Sequence, residues 1–326
     1  MIKILRIGDP HVKVNNLEES EVLMRYALEL ATNEKVNRIE ILGDLFHTHS
    51  VLRLEVLNFW HKWLTIFCGL CETVVLEGNH DQSGDYSNAY SALSVFKLYE
   101  HRNLKVVTEP WLLGRIGYIP YTHDNESFLA KANGLAEQGA TVLVVHQTLM
   151  GSKYESGFYA SDGADTTKIS DKVIHIISGH IHSKQEFGRV SYPGTGRWDN
   201  AADANQPKGL HVFEHDTEGG QVIGYRFFST EKVCSPLYQL CYREGEPEPV
   251  IPEGRVVLEM TGSSDWIAKE KLKFKGKASI NTKITDAKKL ENRRSGINLE
   301  DFIRNIYNTN TDKEALLQCA KELGIA

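Results

Sequence analysis

The chain has 326 residues, 41% of them hydrophobic and 25% charged, with a formal net charge of −6. That length suffices to bury a large core and still carry a smaller appended module, while no apolar run approaches the roughly 20 residues needed to cross a bilayer, so a soluble protein without membrane association is expected. The acidic balance argues against a surface that binds DNA everywhere, although an average hides local patches.

The opening MIKILRIGDPH enters an apolar strand with no charged n-region, long apolar stretch or small-residue cleavage site, so export is not expected and a cytoplasmic location is. Residues 3–7 read as a strand, 17–36 as an amphipathic helix, 38–42 as a strand, 52–67 as a helix and 73–76 as a strand. A helix near 88–99, strands near 105–107 and 115–120, a helix near 127–136 and a buried strand at 141–145 continue the alternation, which points to layered α/β architecture. The odd cysteine count suits a reducing compartment, and the Cys68–Cys71 pair, with no second CxxC, reads as structural thiols before a redox or zinc motif. Residues 147–168, rich in Gly, Ser, Asp and Tyr, form a loop long enough to cover a site or simply to move. From 173 to 228 turn-separated strands follow one another, read as a second sheet packed on the first. Residues 244–254, EGEPEPVIPEG, have linker composition and place a domain boundary.

Five segments place metal-binding side chains at the ends of apolar strands: Asp9-Pro-His11, Gly43-Asp44, Gly78-Asn79-His80-Asp81, His146, and Gly179-His180-Ile181-His182. In an extended chain residues two apart share a face, so Asp9 with His11 and His180 with His182 can each converge on one point. Carboxylate and imidazole donors without thiolates favour Mn, Fe or Zn over a structural zinc cluster. Each residue alone has an ordinary reading, a satisfied polar histidine or an Asp in a turn; five such segments in this order do not.

In these motifs the sequence resembles the calcineurin-like metallophosphoesterases over roughly residues 1 to 230. The resemblance implies a β-sandwich flanked by helices, with Asp9, His11 and His182 on one metal, Asn79, His146 and His180 on a second, and Asp44 bridging them. It also implies His80 near the scissile phosphate, with Asp81 orienting its imidazole, and hydrolysis through two-metal activation of a bridging water. Protein phosphatases of this superfamily follow Gly-Asp with Asp-Arg-Gly and carry Gly-Asn-His-Glu; here Gly43-Asp44-Leu45-Phe46-His47 and Gly78-Asn79-His80-Asp81 stand instead. The sequence looks like the SbcD family, nuclease subunits that pair with SbcC-type coiled-coil ATPases in recombination and double-strand-break processing, and most like its versions from large tailed phages. That likeness implies DNA exonuclease and endonuclease activity with two divalent ions, most often Mn2+, homodimerisation, action in the host cytoplasm if phage-encoded, and a role for His47 in exonuclease action and DNA positioning. His47 also reads as an ordinary polar loop residue, and His49 has no match.

By this reading residues 1–243 form the nuclease domain, 244–286 a capping, DNA-contacting domain, and 287–326 a tether and helical segment that docks on the ATPase or packs back onto its own protein. Between Lys269 and Arg294 ten Lys or Arg face three Asp or Glu, and Lys271, Lys273 and Lys275 alternate with Leu272 and Phe274. If extended, that stretch presents a lysine face, either to a DNA backbone or to solvent as a protected edge strand. A small-molecule or protein phosphoesterase, and a noncatalytic scaffold, are the competing functions; the complete ligand set weighs against the scaffold.

Overall fold

The chain opens with β1 (Ile2–Ile7), whose last four residues are buried. The structure, a computed structural model, describes residues 1–49, 51–84, 90–97, 102–155, 157–216 and 220–285. Helix α1 (Leu17–Glu34) carries Glu18 and Glu19 in its first turn, at the positive end of the helix dipole. It stops at Lys35, left-handed at φ 54°, whose N–H returns to the Ala31 and Thr32 carbonyls. Then come β2 (Arg38–Ile41), α2 (Leu54–Leu70), β3 (Glu72–Leu76), the short α3 (Ser94–Lys97), β4 (Leu104–Val107), β5 (Trp111–Leu113) and β6 (Ile116–Ile119). Helix α4 (Asn125–Glu137) starts at Asp124, whose carboxylate accepts from the Ser127 N–H at 2.6 Å. Strands β7 (Val142–His146), β8 (His175–Gly179), β9 (Gln185–Phe187), β10 (Val190–Tyr192), β11 (Gly209–His215) and β12 (Val222–Ser229) complete the larger unit, which spans Met1–Tyr238 and Glu253–Arg255.

These strands form two six-stranded sheets, ordered β12-β11-β1-β2-β3-β4 and β5-β6-β7-β8-β10-β9. Period-two alternation shows how they pack: Val142 and Val144 of β7 join Ile4, Val74 and Ile177 in one cluster fed by both sheets, while Leu143 and Val145 join the cluster that takes in Phe128 and Leu135 of α4. The result is a β-sandwich with helices outside, the expected fold class. One expectation is corrected. The strands after residue 173 are not a sheet of their own: β8 to β10 extend the sheet begun by β5 to β7, and β11 returns to pair antiparallel with β1. Turn spacing identifies strands but not which sheet edge each one joins.

A polar network lies between the sheets. Arg6 of β1 donates to Glu40 of β2 at 2.7 Å, Arg38 reaches Glu40 at 3.4 Å and Tyr118 of β6 at 2.9 Å, and the Tyr118 hydroxyl donates to Glu40. Cys68 and Cys71, at the end of α2, are free thiols, and burial pushes that of Cys71 up to about 11. Among the described residues no helix is long and apolar enough to cross a membrane.

The second unit comprises Gln239–Pro252 and the chain from Val256 onward. Its sheet is ordered β13 (Leu237–Arg243), β14 (Arg255–Gly262), β15 (Ser279–Ile284), with α5 (Ser264–Glu270) crossing between the parallel β14 and β15. Ser263 caps α5, and Tyr242, Leu258, Met260 and Phe274 fill the core. The Pro- and Glu-rich residues 244–254 join the neighbouring strands β13 and β14, and the division between the units falls at Tyr238/Gln239 and again at Pro252/Glu253, within that segment. One expectation changes here. The lysines at 269–277 do not alternate along a strand: Lys269 lies in α5, Lys271 and Lys273 in the 3-10 turn Lys271–Phe274, and Lys275 caps it. Helix propagation from the Ser263 cap and burial of Phe274 override the two-residue period, and Lys273 pairs with Glu270 at 2.6 Å and Glu248 at 3.1 Å. The tether and docking helices expected at 287–326 lie outside the described residues.

Candidate metal centre

Parallel register brings the carboxyl ends of β1, β2 and β3 to one rim, with Ile7 beside Ile41 and Ile41 beside Val75. In the other sheet His146 of β7 pairs with Gly179 of β8. Asp9, His11, Asp44 and Asn79 leave the first set of strands, and His146, His180 and His182 the second, so the site forms where strand ends of both sheets meet. Loops at carboxyl ends of parallel strands commonly hold ligands in this way.

All seven predicted ligands come together. Asp44 Oδ2 is 3.4 Å from His11 Nε2 and 3.4 Å from His146 Nε2, standing between two groups of donors. On one side His11 Nε2 is 3.0 Å from His182 Nε2. On the other, Asn79 Oδ1 is 3.0 Å from His146 Nε2 and 2.8 Å from His180 Nδ1. Asp9 Oδ1 accepts from the His180 N–H at 2.8 Å, and its Oδ2 is buried with no hydrogen-bond partner among the described residues.

This donor set fits cations. His146 Nδ1 lies 2.7 Å from the Leu42 carbonyl, which only accepts, so the proton sits on Nδ1 and the Nε2 lone pair faces Asn79 and Asp44 oxygens. Lone pairs aimed at one another, together with an orphaned carboxylate oxygen, call for positive charge in the middle. The titration directions agree. Burial works against the charged His146 ring, yet the Asp44 and Asp9 carboxylates more than offset it and raise its pKa to about 9, so without a cation the ring takes a second proton at Nε2, supplying the positive charge these acceptors call for. Burial pushes His180 down to about 3, aided by His146, which keeps its nitrogens available as ligands.

The backbone reaches this geometry by a different route from the extended one expected. Asp9, His11, Asp44 and His180 have φ of 38°, 43°, 53° and 83°, left-handed values that cost such residues energy, so Asp9 and His11 converge through kinks and not through a shared strand face. Glycine is required beside them: a Cβ on Gly43, at φ 103°, would lie 2.3 Å from His146 Nδ1, and one on Gly78 would lie 2.2 Å from Asp44 Oδ1.

His80 sits against the cluster, its ring 4.7 Å from that of His11 and its N–H donating to Asp44 Oδ1 at 2.8 Å. Its Nδ1 donates to the His47 carbonyl at 2.7 Å. Asp81 does not orient this imidazole as expected. Its carboxylate accepts from the N–H groups of Phe46 and Gly78 at 3.1 and 3.0 Å, pinning the Asn79–Asp81 turn, while the His47 backbone takes the orienting role. The His47 ring is at the rim, 5.6 Å from His11, and His49 stacks on His80 at 4.2 Å.

Sequence reasoning missed a supporting layer. Lys208, fully buried, donates to the His182 carbonyl at 2.9 Å and pairs with Asp203 at 2.5 Å. Glu155, from the 147–168 loop, accepts from the N–H of His182 at 2.7 Å. Arg197 holds the Pro10 and His11 carbonyls, and Asp199 joins Arg197 to Lys13 and Asn16. Three charged residues at 197, 199 and 203, directly after the Pro193-Gly194-Thr195 turn, were the available signal.

The family model for calcineurin-like phosphoesterases matches residues 2–184. Protein 244L of Invertebrate iridescent virus 6, designated a phosphoesterase, is 31% identical over 211 residues, which cover 59% of this chain and 69% of the relative. Protein 078R of Invertebrate iridescent virus 3, designated likewise, is 27% identical over 206 residues, and the chain spans 57% of its length. Exonuclease subunit 1 of Enterobacteria phage T4 is 23% identical over 342 residues, 99% of this chain and 98% of that one.

Proposed function

The chain belongs to the calcineurin-like phosphoesterase family, and from that premise we propose that it is a metal-dependent DNA exonuclease and endonuclease, the nuclease subunit of an SbcC/SbcD-like recombination complex. The observation that carries the reading is the complete donor cluster around Asp44, fed from both sheets. The end-to-end similarity to a phage exonuclease subunit favours DNA over a small phosphoester.

Asp9, His11 and His182 would hold one divalent ion, Asn79, His146 and His180 another, and Asp44 both; manganese is the proposed metal. Such ions supply Lewis acidity, lowering the pKa of water and drawing charge from phosphate oxygens. The chain's own residues do the rest. Asp44 fixes the spacing of the two donor groups, and its hold on the His80 N–H keeps that residue beside them. Because His80 Nδ1–H is committed to the His47 carbonyl, Nε2 is left to engage a phosphate or leaving-group oxygen. On this proposal His47, its ring 5.6 Å from that of His11 at the rim, would contact entering DNA, and Lys271, Lys273 and Lys275 of the second unit would offer charge to its backbone. Residues 287–326 are proposed to dock on a coiled-coil ATPase, with the nuclease acting as a homodimer.

Digestion of linear duplex DNA with manganese, by wild-type protein and Asp44→Ala, tests this reading. Wild type should degrade the duplex and the variant should not. Turnover of bis(p-nitrophenyl) phosphate with intact duplex would instead leave only a small-molecule phosphoesterase.

A further inference from the structure

The 147–168 loop carries a short hairpin next to the metal centre, in the same unit. Lys153 and Tyr159 face each other as an antiparallel bridge, the Ala160 N–H donates to the Ser152 carbonyl at 2.7 Å, and the Tyr154 N–H donates to the Phe158 carbonyl at 2.9 Å. Gly157, at φ 90°, turns the chain and returns its N–H to the Tyr154 carbonyl at 2.8 Å. Further contacts brace the hairpin from below. Glu155 accepts from the N–H groups of His182 and Ser183 at 2.7 and 3.1 Å, the Gln185 side chain bonds the N–H and carbonyl of Lys153 at 2.6 and 2.8 Å, and Tyr154 packs on the core cluster that includes Phe128.

On this braced tip Phe158 is 76% exposed and Tyr159 70%. A lone exposed apolar side chain is ordinary. Two adjacent aromatic rings on a pinned backbone are instead a surface already ordered for a flat partner, since little backbone freedom is left to lose on contact. Successive side chains of an extended segment point to opposite faces, so the rings flank the tip on both sides, and Tyr159 shares its face with the exposed Lys153 across the bridge. Lys153 and Glu155 balance in charge, so attraction here comes from the ring faces. Phe158 is three residues from Glu155, at most about 11 Å of chain, and Glu155 holds the backbone of the proposed ligand His182. A strand whose phosphate lies in the donor cluster therefore has its neighbouring nucleotides within reach of the tip.

We propose that Phe158 and Tyr159 form a stacking platform for unpaired bases of the nucleic-acid strand cut at the metal centre, with Lys153 beside a backbone phosphate. The inference rests on the nuclease reading above and adds to it the place where the bases flanking the cut are held. Every base has a π-face, so the platform holds a single strand whatever its sequence. The bases of a duplex already stack on one another, and it engages the tip only where its end is open.

Fluorescence anisotropy of the manganese-loaded protein with a short phosphorothioate oligothymidylate, and with an abasic chain carrying the same number of phosphorothioate linkages, isolates the contribution of the bases. Wild type should bind the thymine-bearing chain about 10–100-fold more tightly, the weight of one or two stacked bases. The double variant Phe158→Ala/Tyr159→Ala should bind the two chains alike, whereas Phe158→Trp/Tyr159→Trp should keep the preference. Added salt should weaken both chains together and leave their ratio unchanged, because the linkages that release counterions are the same in each. Equal binding of the two chains by wild type, or a preference that survives the double alanine variant, would overturn the proposal. A protein that digests duplex DNA yet binds both chains alike keeps the nuclease reading and loses this one.

Discussion

His80 shows how a single side chain is positioned by groups that no motif reveals. Its ring is tied to a backbone carbonyl and its N–H to Asp44, and it is not among the seven expected ligands. His80→Ala should therefore keep its metal content by elemental analysis while turnover falls about 10²–10⁴-fold, the usual weight of a positioned acid or base. Lys208 makes the complementary case. Replacing it with Met leaves Asp203 buried without its counter-charge and frees the His182 carbonyl, so metal affinity should fall about 10–100-fold in a competition titration with little change in the substrate KM. The ligands were legible because Gly-Asp, Gly-Asn-His-Asp and Gly-His-Ile-His carry their chemistry in adjacent letters. Lys208, Asp199 and Asp203 were not, because each acts across a distance that only the folded chain closes. The same holds for Asp81, which sits beside His80 in sequence yet bonds elsewhere.

At the scale of the element, strand β2 places Glu40 between Arg6 and Arg38 with Tyr118 reaching from the other sheet. Burial alone would raise the Glu40 pKa, but the two guanidinium groups and the Tyr118 hydroxyl bring it below its ordinary 4.5. A folded pKa below the unfolded one stabilises the fold above pH 4.5, and that contribution is lost as pH falls through the depressed value. Glu40→Gln should cost about 3–5 kcal/mol at neutral pH, because it leaves buried cations unpaired. Denaturant melts from pH 7 to 3 should also show a shallower acid limb in the variant. Gly43→Ala is the corresponding test of the strand-to-loop turn after β2: a methyl group 2.3 Å from His146 Nδ1 should abolish metal binding even where circular dichroism stays native. Strand β1 was readable because its apolar run ends at Gly8-Asp9, β2 because it leads into Gly43-Asp44, and β7 because residues 142–145 are an unbroken apolar run. The stretch at 269–277 was not, since alternating lysines satisfy a strand, while the Ser263 cap and the buried Phe274 belong equally to a helix. Local sequence is ambiguous wherever one apolar residue decides the period.

At the scale of the molecule the nuclease reading assigns work to both units and to the chain beyond residue 285. Truncation after residue 286 should leave manganese-dependent nicking intact while removing stimulation by the ATPase partner, measured as digestion with and without that protein. Neutralising Lys271, Lys273 and Lys275 together should weaken duplex binding and lower the slope of log affinity against log salt, by up to about one unit for each phosphate no longer neutralised. Lys273 already pairs with Glu248 and Glu270, so its share of that slope should be the smallest. The superfamily fold was legible because it rests on the ligand order. The sheet membership of β11 and β12 was not, since it depends on which edge of β1 was open. Because each proposed ligand set draws on strand ends of both sheets, each ion is also a rivet through the sandwich. At a free concentration a hundred times its Kd, each such ion adds about 2.7 kcal/mol to the folded state. A chelator should thus act as a mild denaturant, lowering the melting temperature and loosening amide exchange at the ends of β3 and β7 long before any loss of helix, so that shelf life and catalysis fade together when the metal is withdrawn.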